Sequence, residues 1–201
     1  MTEPDPSRYA WWLASRSAGV VAFILIAAAV VLGLFLASNL SRRPGLKRDL
    51  VKVHQQLALA GLAAIAAHGL FLLGDSYVKP GLTGIAIPFT LAYRPLWTGL
   101  GILAGYLAVI LGPTFYLRRR IGARRWRQIH RATVVVYALA VLHSLGAGTD
   151  GASLWFTLMV IASGIPIIVL LALRYGRRPA RPAPAPPRAR PTVAQGTRTP
   201  A

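Results

Sequence analysis

The chain contains no cysteine, which excludes disulfides, thiolate-held iron–sulfur clusters and cysteine nucleophiles. Acid is almost as scarce. Five Asp and Glu stand against 23 Lys and Arg in 201 residues, for a formal net charge of +18. None of the five lies inside an apolar run, and a buried proton relay ordinarily recruits a carboxylate. No GxGxxG or Walker loop appears, and no polar segment is long enough to host one, so these residues hold no nucleotide-binding domain.

What is present is apolar. Hydrophobic residues make up 55% of the chain, charged residues only 14%, and the mean hydropathy is +0.52. A soluble domain rarely combines these values, so the class is a polytopic membrane protein. The basic residues sit in loops and a tail between apolar segments. That is the pattern of membrane topology and anionic-lipid contact, and membrane lipid rather than nucleic acid is the expected partner.

Five apolar runs approach the ~20 residues that span a hydrocarbon core. They are Ala18–Ala37, Val53–Leu73, Leu96–Leu117, Ala132–Leu145 with a polar lead-in, and Leu154–Leu173. Basic clusters fall between the first and second (Arg42 to Lys52), between the third and fourth (Arg118 to Arg131), and after the fifth. The other two connections carry Asp75 and Asp150, with Lys79 and the bordering Arg94 as their only cations. The positive-inside rule makes the basic side cytoplasmic, with the N-terminus outside and the C-terminus inside, in an inner or plasma membrane. The N-terminal run opens with Glu3 and Asp5 and is too long for a signal peptide's apolar core. Residues 177–201, rich in Pro, Ala and Arg, read as a disordered cytoplasmic tail.

All four histidines lie in or at the end of spanning runs: His54 and His68 in the second, His130 and His143 in the fourth, 14 and 13 residues apart. One span intervenes, so the two helices run in the same direction. His54 then faces His130 at the inner side and His68 faces His143 at the outer side, the two levels about 21 Å apart at ~1.5 Å per residue. Fourteen residues fall about 40° short of four full turns, which places His54 and His68 on one face. Thirteen residues leave the fourth helix about 140° out of alignment. Either a tighter 3₁₀ stretch reduces that mismatch, or the two sites approach the helix from different sides. Neutral imidazole is a standard axial ligand of haem iron, so paired histidines at two depths read as two stacked haems in an electron path across the membrane.

Other residues take supporting parts in this reading. Gly61, seven residues from each of His54 and His68 and on their face, leaves room for flat macrocycles. Arg131, beside His130, and Arg94, at the mouth of the third span, are candidates to hold propionates. Tyr137 is read as a packing residue, with a place between the cofactors as the alternative. Gly101 and Gly105 form a GxxxG read as close helix packing. Arg16 is read as an interfacial anchor, and the Asp75–Tyr93 loop as a connector or a lid over the outer site.

Particular stretches resemble a known family. They are Val53-His54-Gln55, Ala67-His68-Gly69, Tyr93-Arg94-Pro95-Leu96-Trp97, Gly122 through Trp126 to His130, and Leu142-His143. Over about Tyr9 to Tyr175 the chain resembles the ferric reductase-like transmembrane domain family. That family includes the membrane cores of ferric reductases and NADPH oxidases and the haem-binding membrane subunit of the periplasmic methionine sulfoxide reductase system. The Arg-Pro-Leu-Trp and Gly-Ala-Arg-Arg-Trp-Arg-Gln-Ile-His segments are similar to the sulfoxide reductase subunit, whereas His54 is more like the two-haem cores. The spacings of 14 and 13 are also the family's.

The resemblance implies an electron-transfer subunit of an oxidoreductase: an all-α bundle of about five helices over residues 1–176, with haem b between the second and fourth. Four histidines imply two haems; the sulfoxide reductase likeness admits one. Since no flavin- or nicotinamide-binding domain follows the last run in this sequence, FAD or FMN and NAD(P)H are expected only on a separate cytoplasmic flavoprotein, with a quinol as the other donor. Ferric iron, oxygen or a partner enzyme would accept electrons outside. Two other functions compete with this one: a single-haem or haem-free membrane anchor of a reductase, and a proton or solute transporter.

Overall fold

The computed structural model describes residues 9–38, 40 and 43–176; the expected tail, 177–201, lies outside the described residues. The described residues form helices and connecting turns, without strands. In chain order the helices are α1 Ala10–Ala37, α2 Pro44–Leu72, α3 Gly81–Ala86, α4 Pro95–Leu111, α5 Thr114–Ile121, α6 Ala123–His130, α7 Thr133–Ala147 and α8 Leu154–Gly176. Helices α1, α2 and α8, and α6 continued into α7, are each long and apolar enough to cross a membrane, which makes four spans, or five if the bent pair α4–α5 crosses as one. The protein is a multi-pass membrane helical bundle.

The helix ends follow local chemistry. Pro44 and Pro95 open α2 and α4, where the missing N–H costs nothing and the fixed φ suits a first turn. Helix α1 begins at Ala10 rather than Ala18, because Trp11 and Trp12 extend it with side chains suited to the interface. The third span is not one straight helix. It bends by 51° where α4 gives way to α5, at Gly112 and Pro113, since proline cannot donate the backbone bond that would continue the helix. Between α5 and α6, Gly122 takes φ 85, a conformation open to a residue without a Cβ. The fourth span keeps its polar lead-in as α6, joined to α7 through Arg131 and Ala132. There Ala132 N donates to Ile129 O at 3.0 Å, Val134 N to Arg131 O at 3.2 Å and Val135 N to Ala132 O at 2.9 Å. These i→i−3 bonds wind the chain more tightly, which reduces the mismatch of the 13-residue spacing.

Helix α1 packs along α2, and α4 packs along α7; α1 also touches α7 and α8, and α2 touches α4 more lightly. The backbones of α2 and α7 scarcely approach one another. One core cluster joins Phe23, Ala27, Val30 and Leu34 of α1 to Tyr137 of α7 and to Ile167 and Leu170 of α8. Tyr137 is a packing residue there: its ring lies 5.8 Å from that of Phe23, and its hydroxyl is 2.8 Å from Ser163 Oγ. A second cluster, Ala108, Leu111 and Val136, takes in Ile26, Leu62 and Ile65. Large apolar side chains such as Ile110 and Ile168 point outward, as lipid-facing positions should.

Near the start of α1, Arg16 grips Asp150 with two bonds of 2.7 Å and lies over the Trp12 ring, so the expected interfacial anchor is also an ion-paired staple between α1 and the α7–α8 turn. In the long connection before α4, Asp75 accepts the backbone N–H groups of Tyr77 and Val78. Phe89 then covers Gly99 of α4, and Tyr106 donates to Ala86 O.

Candidate functional site

The histidines lie on α2 (His54 and His68), at the end of α6 (His130) and on α7 (His143). His54 meets His130 with ring centroids 6.1 Å apart, and His68 meets His143 at 6.2 Å; the planes are inclined by 84° and 74°. Helices α2 and α7 are therefore parallel, with the predicted partners at each level. All four rings are half-buried. Among the described residues no group of three or more His, Asp and Glu side chains gathers, so the histidines meet only in twos.

The neighbouring helices hold three of these rings in the same way. His68 Nδ1 donates to Ser15 O at 2.8 Å, His54 Nδ1 to Ala29 O at 2.9 Å, and His143 Nδ1 to Trp97 O at 2.9 Å. Four residues beyond each of these carbonyls is a glycine: Gly19, Gly33 and Gly101. A Cβ on Gly19 would lie 3.0 Å from His68 Nδ1, one on Gly33 would lie 3.1 Å from His54 Cε1, and one on Gly101 would run into the His143 ring. In an α-helix the side chain at position i stands beside the carbonyl of i−4. Glycine removes that screen and lets an imidazole reach an oxygen already engaged in the helix. Ser15, only 3% exposed, adds a bond from its hydroxyl to His68 O at 2.9 Å.

These bonds fix the chemistry of the rings. A carbonyl accepts only from N–H, so in the neutral imidazole the proton is on Nδ1 and the lone pair is on Nε2. The same arrangement orients metal-bound histidines and raises their basicity. Two imidazoles bound through Nε2 on opposite sides of one metal, at metal–nitrogen bonds of about 2.0 Å, would have centroids roughly 6.3 Å apart, against about 5 Å at a tetrahedral angle. Both pairs stand at that separation.

His130 is held differently. Its Nδ1 is buried without a hydrogen-bond partner among the described residues, as is Trp126 Nε1. The indole of Trp126, one turn earlier on α6, stacks on the imidazole at 5.1 Å and 25°. Phe115 abuts Trp126 at 5.9 Å, and the Arg118 guanidinium lies 3.7 Å over Phe115.

Other candidates take less direct places. Gly61 faces α1: a Cβ there would lie 2.8 Å from Ile26 Cδ1, so the room expected for a macrocycle is taken by helix packing. Arg94, in a left-handed conformation, donates from Nη1 to Gly146 O at 2.6 Å, and so closes the end of α7 three residues beyond His143. Arg131 is exposed directly after His130. Sequence reasoning missed Gly19, Gly33 and Ser15, read Gly101 as helix packing, and took Trp126 only as part of a resemblance. One signal was available: Gly19 and Gly33 repeat in α1 the 14-residue interval of His54 and His68.

No curated protein and no solved structure matches the chain. Residues 18–141, more than half of the chain and inclusive of three of its histidines, match the ferric reductase like transmembrane component. The chain belongs to the ferric reductase-like transmembrane component family.

Proposed function

We propose that the protein is a b-type cytochrome carrying electrons across an inner or plasma membrane through two bis-histidine haems. His54 and His130 hold one near the cytoplasmic face, and His68 and His143 hold the other near the outer face. The observation that carries this reading is the pair of imidazole separations, 6.1 and 6.2 Å, between α2 and the α6–α7 segment. Two nitrogen donors are too few for a bare ion in a protein site, which takes three or four ligands. They suit an iron whose other positions belong to a macrocycle.

Bound there, haem would supply one-electron chemistry. The chain's own residues orient the ligand nitrogens through the carbonyls of Ser15, Ala29 and Trp97, keep the path in an apolar interior, and set the two levels about 21 Å apart at ~1.5 Å per residue. With two histidines at each iron, no coordination position is left open for substrate. Electrons enter from a cytoplasmic flavoprotein or a quinol and leave to ferric iron, oxygen or a partner enzyme outside. The exposed arginines of α5 and α6 mark the cytoplasmic end. Arg131 beside the inner pair and Arg94 beside the outer one provide cations for propionates.

The test is haem stoichiometry in purified, detergent-solubilised protein, from a reduced-minus-oxidised spectrum and pyridine haemochrome. Two b haems per chain are expected. One haem would replace this reading with the single-haem subunit, and none, after expression with ample haem, would end the electron-transfer reading.

A further inference from the structure

Three histidines sit on a glycine and bond to the carbonyl four residues before it; His130 does neither. The bend in the third span accounts for the exception. Helix α4 serves His143 with Trp97 O and Gly101. Thirteen residues further on, where the same helix would serve His130, stand Ile110 and Thr114. By then α4 has ended at Leu111 and the chain has turned by 51°, and Thr114 carries a Cβ where a glycine would be needed. No equivalent seat forms.

We propose, resting on the two-haem reading, that His130 is the most weakly held of the four axial ligands and that Trp126 is its positioning residue. A ligand histidine without an acceptor for its second N–H loses both orientation and basicity. Its buried, unpaired nitrogen is itself destabilising. What orients the ring instead is the flat face of Trp126 at 5.1 Å. Backbone support is also weaker here. His130 is the last residue of the eight-residue α6 and is joined to α7 through a turn, whereas His54, His68 and His143 lie inside long helices. The position of α6 in turn depends on the Phe115–Trp126 contact within the α5–α6 hairpin. The two haem sites are thus unequal, and the inner one exchanges first.

Release of haem to an excess of a haem-scavenging apoprotein tests this, after haem content has been counted. The unmodified protein is expected to release its two haems in two phases, with the faster phase missing from His54→Ala. Trp126→Ala should speed the faster phase by about tenfold and leave the slower one alone. Trp126→Phe, which keeps an aromatic face but no N–H, should behave like the unmodified protein. If Trp126→Ala does not accumulate, Trp126→Leu fills the space without a flat face and takes its place. A single common phase, a fast phase that survives His54→Ala, or a fast phase indifferent to loss of the indole each overturns the proposal while leaving the two-haem reading intact. Fewer than two haems per chain overturns that reading, and this inference with it.

Discussion

Gly33 lies beneath His54, leaving 3.1 Å between the ring and the place a side chain would occupy, and the carbonyl of Ala29 accepts the ring's Nδ1–H at 2.9 Å. The same relation joins Gly19 to His68 and Gly101 to His143. These glycines act on the site through the rings they admit. Gly33→Val should lower haem affinity at the inner site, and Gly101→Val at the outer site, each by about 10- to 100-fold, the usual effect of disturbing a ligand's support. Haem per chain after extensive washing is the measurement. Equal loss from both sites in either variant would show a general packing defect instead.

His54→Ala and His143→Ala separate the two levels. Each should retain the haem at the other level. His54→Ala should also stop reduction of a trapped impermeant ferric acceptor by an external donor in proteoliposomes. Transmembrane transfer that survives with one haem would contradict a path requiring both levels.

The sidedness is accessible because the chain has no cysteine of its own. Tyr77→Cys, at a residue 85% exposed in the loop after α2, should react in intact cells with a thiol reagent that does not cross the membrane. Arg124→Cys, in the exposed arginine-rich hairpin, should react only after lysis. The reverse pattern would invert the orientation.

Arg16 and Asp150 hold α1 to the α7–α8 turn through two bonds of 2.7 Å, with side chains 37% and 22% exposed. Such partly exposed pairs contribute at most about 1 kcal/mol. Asp150→Ala should therefore lower the unfolding temperature by a few degrees, roughly 2–4 °C for a chain of this size, without changing haem content. A double-mutant cycle with Arg16→Ala isolates the coupling, which high salt should weaken.

Tyr137→Phe tests the packing assignment. Losing the hydroxyl that meets Ser163 Oγ at 2.8 Å should cost about 1 kcal/mol in stability. The haem spectrum should be unaltered, because the ring packs against Phe23 and α8. A shifted spectrum would instead put Tyr137 beside a cofactor.

Much of this was legible in the sequence, for reasons that lie in local chemistry. Runs of apolar residues specify membrane helices because backbone groups have no other partner in hydrocarbon. Histidines 14 and 13 residues apart specify two levels because helix rise and turn are fixed. Tight winding after Ile129 was one of two ways to reduce the mismatch of the shorter interval, and such winding is present there. The kink in the third span was written in Pro113, although the apolar run read as continuous.

Which surfaces meet was not legible. Gly61 was placed on the cofactor face from helical periodicity, yet Ile26 of α1 fills its space. Gly101 was read as half of a packing motif, yet it seats His143. A glycine's purpose depends on what approaches it, and that partner comes from another helix, here dozens of residues away. The sequence by itself determined the class, the spans and the depth of each imidazole, because these depend on hydropathy and helix geometry within one segment. Only the tertiary structure decided that α1 and α4 supply the acceptors for three Nδ1–H groups and that the fourth ring, stacked on Trp126, has none among the described residues, because the approach of an acceptor follows from how separate helices pack.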